Sequence, residues 1–425
     1  MKKVKIGVFG AGRGSSMVKY CQIAQNAELV AICDKWEAAL QAHKDAWQDE
    51  NITYYTDFDE FIKHDMDAVV LSNYAHQHAP FAIKCIKAGK HVFSEVLAAQ
   101  HMKEAIELVE TVEAHDRIYA YGENYCYMHA PYEMKKLYQA GELGELEYAE
   151  CEYIHNCEHI WPALTYGDPN HWRNNMSAFF YCTHSIGPIV HATGLRPVSV
   201  TGIESAMTTR KQSMGSKGGQ FGIEMLTLEN GAIVKSIHGG LYMDSIWFSM
   251  YGSKGRMESG RHDSHLGGDK IFSGLDKIYV NTDEFPGQYK EETVRAYTPR
   301  REFDDQAAVL SHAGSDFYSM WHFVEKILGN ENADIIDIYE AMDMTLPGMF
   351  AHRSAQAGGI PMEVPDLRTQ EARDKYRNDT ACTDPEAAGD MYMSPYPIGA
   401  KPIPDSVYEE VKSRWNKKLR YDLKK

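Results

Sequence analysis

The sequence predicts an α/β N-terminal domain followed by an α+β domain built on a large, open, mostly antiparallel sheet. In about the first 125 residues, short apolar runs alternate with helical periodicity, the pattern of βαβ units on a parallel sheet. A glycine-rich turn directly follows the first apolar run. From Glu145 onward, apolar and polar residues alternate with a period of two, which is typical of half-buried strands.

Four strands and two helices can be placed in the first domain. The strands are predicted at Val4 to Phe9, Glu28 to Cys33, Asp67 to Leu71 and His91 to Phe93. A helix is predicted from Ser15 to about Gln25. Apolar residues spaced i, i+3, i+4 and i+7 between Ala105 and Val112 mark one face of a second helix.

Strands of the second domain are predicted at Leu146 to His155, Phe221 to Leu228, Ala232 to His238 and Ser245 to Tyr251. Asn230-Gly231 supplies the turn of a hairpin between two of them. These patterns place a first domain at residues 1–125 and a second at residues 126–365. Residues 366–425 are predicted to form an irregular tail packed on the surface.

Composition excludes several classes of protein. The chain has 425 residues, enough for two domains, and its net charge of −16 argues against binding to nucleic acid. No window approaches 18 consecutive apolar residues, and the start MKKVKIGVFGAG lacks the apolar region of a signal peptide. The eight cysteines form no CxxC pair. We therefore expect free thiols and a cytoplasmic protein without a membrane partner.

The stretch GVFGAGRGSS (7–16) follows a strand and opens a helix, the context of a Rossmann dinucleotide fingerprint. Gly10 allows a tight turn, and Gly12 lets the backbone approach a pyrophosphate. Gly14 comes one place early, and Ser15 stands where the pattern has Gly or Ala. Asp34, about 20 residues on at the end of the second strand, would bind ribose hydroxyls and favour NAD over NADP. The alternative is an ordinary glycine-rich turn.

The segment DAVVLSNYAHQHAPFAIKCIKAGKHVFSE (67–95) resembles the Gfo/Idh/MocA oxidoreductases, and residues 312–330 and 337–366 resemble the closing helices of that family. The resemblance covers roughly residues 1–367. Dehydrogenases of the family carry Glu-Lys-Pro after GKHV, and the lysine moves the proton of the oxidised hydroxyl. Here Val96 and Leu97 follow Glu95. Phe180 stands where those dehydrogenases tend to have an aspartate.

Within that family, four segments resemble the NAD-dependent glycosidases of glycoside hydrolase family 109. They are SEVLAA (94–99), ENYCYM (123–128), GELGELEYAECEYIHN (141–156) and YCTHSIGPIVHATG (181–194). The resemblance implies a glycosidase acting by transient C3 oxidation, C2 deprotonation, elimination, water addition and re-reduction. Because no net redox occurs, NAD should be tightly bound and recycled.

The resemblance also implies roles for individual residues. Tyr127 is the candidate C2 base, which requires a lowered tyrosine pKa, and His184 the candidate group at O3. Glu95 and Tyr181 would position the sugar or share protons. His155 is the expected substrate contact through the Tyr-Ile-His match. Independently of the resemblance, Trp172 and Arg173 are expected to contact the sugar because residues 170–173 are polar and aromatic, and the alternative is an exposed loop. The cofactor-binding residues implied by the motif and the resemblance are Gly10, Gly12, Arg13, Gly14, Ser15, Asp34, Asn73, His78, Glu95 and Asn124.

Residues 151–159 raise the question of a metal site. On one strand, one face would carry Cys151, Tyr153, His155, Cys157 and His159. Alternate residues of a strand lie about 7 Å apart, too far for all of them to reach one zinc ion. We therefore predict no metal site.

Other functions remain open at the level of sequence. The chain could be an NAD-dependent sugar or inositol dehydrogenase, or a 3-keto-glycoside lyase. A third alternative is a non-catalytic NAD-binding regulator, against which the proton-transfer groups argue. A small carbohydrate or glycoside is the expected partner. By analogy with the family, we expect a homo-oligomer, either a dimer or a tetramer.

Overall fold

The computed structural model describes residues 2–261, 273–282, 294–399 and 401–422. The chain divides into two compact units. The first comprises residues 1–132, 298–345 and 367–378, and the second comprises residues 133–297, 346–366 and 379–425.

The first unit contains a six-stranded parallel sheet with strand order β3-β2-β1-β4-β5-β6, the order of a Rossmann fold. Its strands are β1 (Val4–Phe9), β2 (Ala27–Cys33), β3 (Thr53–Tyr55), β4 (Ala68–Leu71), β5 (His91–Ser94) and β6 (Tyr119–Tyr121). The central strands are almost wholly apolar, and every residue of β4 is buried. Such strands have both faces covered, as expected for a parallel sheet. The predicted fold class is confirmed here.

Helices connect and cover these strands. They are α1 (Ser15–Ile23), α2 (Glu37–Trp47), α3 (Phe58–Phe61), α4 (His78–Lys87), α5 (Met102–Ala114), α10 (Asp304–Ala307), α11 (Ser315–Ile327) and α13 (Gln370–Tyr376). Helix α1 contacts α11, and α4 contacts α5. Two strands, β3 and β6, escape prediction because three residues are too few to show a period.

The second unit contains a nine-stranded mixed sheet. Its strands are β7 (Leu146–Ile154), β8 (Pro197–Glu204), β9 (Phe221–Leu228), β10 (Ile233–Gly239), β11 (Ser245–Gly252), β12 (Gly255–Ser259), β13 (Ile278–Thr282), β14 (Arg295–Tyr297) and β15 (Met362–Glu363). Their order is β14-β13-β12-β11-β7-β10-β9-β8-β15. Only β7 and β10 pair in parallel among the described strands, so the prediction of a mostly antiparallel sheet is confirmed.

Two local predictions for this sheet have different outcomes. The hairpin of β9 and β10 turns at Asn230-Gly231 as predicted, with Gly231 at a φ of 89°. By contrast, β7 ends at Ile154 rather than continuing through residue 159. The strand predicted at Leu146 to His155 is therefore found, and residues 151–159 do not share one strand, because His155 is the last residue bonded to the neighbouring backbone, through the Gly239 carbonyl.

The helices of the second unit are α7 (Trp161–Thr165), α8 (Thr183–Thr193), α9 (Thr209–Ser213), α14 (Pro385–Ala388) and α15 (Asp405–Asp422). Two more, α6 (His129–Gln139) and α12 (Ile338–Gln356), include residues of both units. Helix α8 packs on β7, β10 and β11. A buried hydrogen bond of 2.7 Å between the hydroxyls of Ser185 and Ser236 links α8 to β10.

The segment 366–425, predicted to be irregular, contains α13, α14 and α15. Helix α15 is rich in charged residues, so its composition does not reveal that one of its faces is apolar. Tyr408 and Val411 form the buried part of that face, and Trp415 packs on Tyr166 with ring centroids 5.3 Å apart. In the part of the chain that the structure describes, no helix is both long and apolar enough to span a membrane.

Candidate active site

The glycine-rich turn lies where β1 and β4 end, at the point where the strand order reverses. Gly10 has a φ of +104°, and a Cβ there would lie 2.5 Å from the carbonyl carbon of Ser72. The Ser72 hydroxyl donates to the carbonyl of Phe9 or Gly10, at 3.0 and 2.9 Å. Only glycine fits at position 10, because the turn after β1 touches the backbone at Ser72, directly after β4.

Gly14 and Gly12 have opposite surroundings. A Cβ on Gly14 would overlap the Gly10 carbonyl oxygen and come within 2.5 Å of Val8. Gly14 therefore allows the close packing of helix on strand that the third glycine of the fingerprint provides, despite its early position. A Cβ on Gly12 would meet nothing within 4 Å. This open space, beside an N-terminus of α1 that no side chain caps, fits the approach of a pyrophosphate.

Asp34 follows β2 and holds the turn in place. One carboxylate oxygen accepts a hydrogen bond of 2.7 Å from the Ala11 amide, and the other accepts one of 2.9 Å from the Trp36 amide. The ring of His43 lies 2.9 Å from the Ala11 carbonyl. Asp34 thus lies beside the glycine-rich turn, as predicted for a ribose-binding acid.

Two asparagines present polar atoms that the protein leaves unsatisfied. Both side-chain polar atoms of Asn73 are buried and have no hydrogen-bond partner among the described residues. The side-chain oxygen of Asn124 is likewise buried and unpartnered within the described chain, while its nitrogen donates to Asp316 at 3.1 Å. Since buried polar groups are normally hydrogen-bonded, these atoms fit a bound ligand. Both residues are among those predicted to bind the cofactor.

Arg13 joins two carboxylates in a buried cluster. Its guanidinium donates two hydrogen bonds of 2.8 Å to Asp316 on α11 and lies 2.8 Å from the Glu95 carboxylate, which follows β5. His312 lies 3.2 Å from Asp316 through Nδ1. We call Arg13, Glu95, His312 and Asp316 the charged cluster. Of these, only Arg13 and Glu95 were predicted from the sequence.

The two carboxyl groups of the charged cluster titrate in opposite directions. Burial acts to raise the pKa of Asp316, but Arg13 and His312 hold it well below its usual range. Burial raises the pKa of Glu95 to about 7, since Arg13 offsets the cost only partly and Asp316 adds to it. Glu95 is therefore a carboxyl group that can gain and lose a proton near neutral pH.

Sequence reasoning missed Asp316 and His312, although both lie in the family-like segment 312–330. Three successive residues there adopt left-handed conformations, His312, Ala313 and Gly314, with φ of 55°, 53° and 84°. Such strain in non-glycine residues clusters at functional sites. The HAGSD sequence was the available signal, but it gives no hint that Asp316 pairs with a residue 303 positions away.

Val96 and Leu97, which replace the Lys-Pro of the dehydrogenases, are buried, with 7% and 5% of their surface exposed. The peptide bond between them is cis. The ring nitrogens of His78 lie 3.1 Å from the Leu97 carbonyl and 3.3 Å from the Asn73 carbonyl. Burial lowers the pKa of His78 to about 4, so the neutral ring donates its single N–H to one of these two carbonyl oxygens.

Tyr127 does not have the properties expected of a base. Its ring is 2% exposed and packs against His322, and its hydroxyl donates a hydrogen bond of 2.9 Å to the Asp334 carbonyl. Burial raises the pKa of Tyr127 well above its ordinary value. The predicted base role needs a lowered pKa, and the structure gives the opposite because a buried phenol bonded to a carbonyl oxygen favours its protonated form.

Five residues predicted for the second domain form one surface with Tyr153. His184, at the start of α8, stacks on Tyr181 at 5.6 Å between centroids and contacts Tyr153 at 4.6 Å. The guanidinium of Arg173 lies 5.7 Å from the Tyr181 ring and 4.6 Å from the Trp172 ring. We call the set Tyr153, His155, Trp172, Arg173, Tyr181 and His184 the aromatic wall.

His155 completes the aromatic wall, with its ring 6.0 Å from that of Tyr153. Its Nδ1 lies 3.2 Å from a carboxylate oxygen of Asp244. All six residues of the wall are half-buried, so part of each remains accessible to solvent. Flat rings beside cationic and imidazole groups can stack on a sugar and hydrogen-bond its hydroxyls. Within the described ranges, no group of three or more His, Cys, Asp or Glu residues is arranged to hold a metal ion.

The chain is similar in sequence to one known protein family and to several curated proteins. Residues 4–123 match the family described as "Oxidoreductase family, NAD-binding Rossmann fold", the Gfo/Idh/MocA family. A "Glycosyl hydrolase family 109 protein" of Solibacter usitatus (strain Ellin6076) is 25% identical over 406 residues, which cover 86% of this chain and 88% of that protein. A protein of the same description from Shewanella sp. (strain W3-18-1) is 24% identical over 399 residues, 86% of this chain and 85% of its own.

Among solved structures, myo-inositol 2-dehydrogenase from Lactobacillus plantarum superposes with a TM-score of 0.64 at 19% identity, covering 85% of this chain and 100% of that chain. This likeness shows a shared fold. The predicted resemblance to the Gfo/Idh/MocA oxidoreductases and to family 109 proteins is confirmed. Residues 4–123 therefore match the NAD-binding oxidoreductase family, and the chain shares the fold of this structural neighbour.

Proposed function

We propose that this chain, whose residues 4–123 belong to the NAD-binding oxidoreductase family, is a glycosidase that uses NAD to cleave a glycoside without net redox. In the proposed reaction the sugar is oxidised at C3, loses a proton at C2, expels the glycosidic oxygen, adds water and is reduced again. NAD, when bound, accepts a hydride and returns it. The glycosidase proposal rests on similarity over 86% of the chain to proteins described as family 109.

The observation in the structure that carries the proposal is the pair Val96 and Leu97. These apolar side chains are buried directly after Glu95, so no lysine can accept the proton of an oxidised hydroxyl there. Glu95 nevertheless remains, held by Arg13. An oxidoreductase fold that lacks the lysine and, at Phe180, the aspartate of the dehydrogenases but keeps Glu95 and His184 fits a reaction in which the hydride returns to the sugar.

The residues of the first unit are proposed to hold NAD. The amides of the turn around Gly12 would bind the pyrophosphate, and Asp34 would accept hydrogen bonds from ribose hydroxyls. Asn73 offers a buried amide donor and acceptor that nothing described in the protein satisfies. The carboxyl group of Glu95, with its pKa raised by burial to about 7, is suited to giving and taking a proton.

The residues of the aromatic wall are proposed to bind the sugar. His184 is assigned the proton at O3, since an imidazole can both accept a proton and donate it back. Tyr181, which contacts both His184 and the cationic Arg173, is the candidate in the wall for the proton at C2. Trp172 and His155 would contact the ring and hydroxyls of the sugar. Tyr127 is better placed to support the backbone of Asp334.

An NAD-dependent sugar or inositol dehydrogenase is the second candidate. The observation that favours it is the raised pKa of Glu95, because a carboxyl group titrating near neutrality could take over the task of the missing lysine. A structural neighbour described as scyllo-inositol dehydrogenase from Lactobacillus casei, bound to NAD(H) and scyllo-inositol, has a TM-score of 0.63 at 18% identity. That neighbour supports the fold only.

The test measures two signals on a protein stripped of bound nucleotide. Release of p-nitrophenol from α- and β-glycosides is followed together with absorbance at 340 nm, with and without added NAD⁺. We expect phenol release that requires NAD⁺ and no matching accumulation of NADH. The variant His184→Gln should lose this activity, and His159→Gln, which changes an exposed histidine outside the wall, should keep it.

Stoichiometric NADH formation from free sugars or inositols without phenol release would establish the dehydrogenase instead. NAD⁺ binding with neither p-nitrophenol release nor NADH formation would support a regulator or a lyase with another leaving group. Tight retention of NAD is a further part of the proposal, and it predicts that the purified protein carries nucleotide before stripping. Assembly into a dimer or tetramer stays a prediction.

A further inference from the structure

Cys157 follows by two residues a histidine that is itself held by a carboxylate. Nδ1 of His155 lies 3.2 Å from Asp244, and the backbone amide of Asn156 donates to the same carboxylate oxygen. Two consecutive residues therefore fix Asp244, and Asp244 in turn orients the imidazole. The side chains of His155 and Cys157 interact with each other. The resulting order of thiol, imidazole and carboxylate is one that activates nucleophiles in proteins.

Charges around this group favour a thiolate. Against the effect of burial, Asp244 and Cys157 raise the pKa of His155 to about 10. Burial acts to raise the pKa of Cys157, but His155 lowers it, and the cations Arg173 and Lys211 add to that effect from their own segments. The groups that favour the thiolate are thus one imidazole and two cations, and Asp244 acts on the imidazole.

The other cysteines provide an internal comparison. All eight lie in described parts of the chain, none forms a disulfide, and Cys157 is the one that is partly exposed, the rest being buried. Burial raises the pKa of Cys21 and Cys33 to about 12, and it raises the pKa of Cys85 and Cys151 well above the ordinary thiol value. A thiol needs both access and thiolate character to react, and Cys157 has both.

We propose that Cys157 is a reactive nucleophile and a modification site for hydroperoxides and other soft electrophiles, activated by His155 and Asp244. With hydrogen peroxide, the thiolate sulfur attacks one oxygen and forms an S–O bond while the O–O bond breaks. Sulfur loses two electrons and becomes a sulfenic acid. The departing hydroxide takes a proton from the His155 imidazolium and leaves as water. With iodoacetamide, an S–C bond forms and iodide leaves.

The experiment measures alkylation of each cysteine in the intact chain. The protein is treated with iodoacetamide between pH 5 and 10, and the rate at each site is read by peptide mass spectrometry. At pH 7, Cys157 should react about tenfold faster than any other cysteine, with an inflection below the free-thiol value of about 8.5. Cys157→Ser should remove the fast site and leave the slow ones unchanged.

Two histidine variants separate activation from simple exposure. His155→Gln should move the inflection of Cys157 up toward that of a free thiol, whereas His159→Gln, which changes the histidine two residues on the other side, should leave it in place. Asp244→Asn should give a smaller shift in the same direction as His155→Gln. Circular dichroism and melting temperature check that each variant is folded.

Peroxide treatment followed by dimedone should trap a sulfenic acid at Cys157 in the wild type, and much less in His155→Gln. An alkylation rate of Cys157 no greater than that of the buried cysteines would overturn the proposal. So would a pH profile that His155→Gln and His159→Gln leave equally unchanged. These readouts need no sugar turnover, so failure of the glycosidase proposal would not affect them.

Discussion

The charged cluster of the first unit and the aromatic wall of the second are built in different ways. In the charged cluster, Arg13 reaches Asp316 across 303 positions of sequence and holds it with two hydrogen bonds of 2.8 Å, and none of the Asp316 side chain is exposed. In the aromatic wall, ring centroids lie 4.6 to 6.0 Å apart on half-exposed residues. Ion pairs fix the first group, and ring stacking orders the second.

The difference predicts how each group responds to change. Removing one partner of a buried ion pair leaves the other charge desolvated, which is strongly destabilising. Removing one ring or cation from a half-exposed stack forfeits a modest contact that water can partly replace. The cluster should therefore behave as a unit on which folding depends, whereas the wall should tolerate substitution and adapt to a ligand.

The largest expected effect comes from removing the central cation of the cluster. Arg13→Met should lower the free energy of unfolding by about 3–5 kcal/mol, because Asp316 and Glu95 lose their shared partner. The matched variant Arg173→Met, in the wall, should cost only about 0.5–1 kcal/mol. Urea unfolding followed by fluorescence measures both. Equal losses would show that the cluster is no more dependent on charge than the wall.

Glu95 should make stability fall as pH rises. Its folded pKa of about 7 exceeds the ordinary value of 4.5, so the folded state retains the proton longer than the unfolded state. Its contribution is present below about pH 4.5 and is lost as pH rises to 7. Relative to Glu95→Gln, the wild type should lose about 2–3 kcal/mol over this interval. A constant difference between the two proteins from pH 4.5 to 8 would contradict the raised pKa.

Asp34 tests whether the turn next to the cluster binds a cofactor. Asp34→Ala leaves the Ala11 amide without its acceptor, which should cost about 1–2 kcal/mol, and it should abolish the rise in melting temperature on adding NAD⁺. Asp57→Ala removes a similar bond to the Glu60 amide at the start of α3 and should keep the NAD⁺ effect. If both variants kept it, the proposed ribose contact would be ruled out.

The smallest effect is expected at Tyr127. Tyr127→Phe should cost about 0.5–1.5 kcal/mol through loss of the bond to the Asp334 carbonyl, and kcat should change little. Loss of a general base normally costs about 10²–10⁴-fold in rate. A fall of that size with p-nitrophenyl glycosides as substrates would restore Tyr127 as the base and remove the need for Tyr181 in that role.

What could be predicted from the sequence were features encoded locally. The strand Val4–Phe9, the turn at Gly10 and the position of Asp34 follow from apolar runs and spacing, and the structure has them where expected. Asp316 could not be predicted because its partner lies far away in sequence. The raised pKa of Tyr127 was equally hidden, since it depends on burial against His322 and Asp334, which no local pattern reveals.

The position of Gly14 has a consequence for detecting relatives. A pattern that requires glycine three places after Gly12 would reject this chain, yet a side chain at Gly14 would collide with Gly10 and Val8. The constraint is therefore set by the distance between helix and strand and not by a count of residues. Distant relatives can be aligned at the glycine where a Cβ would collide with the neighbouring strand, instead of at the third glycine of the G-x-G-x-x-G pattern. This alignment should match chains whose third glycine is shifted.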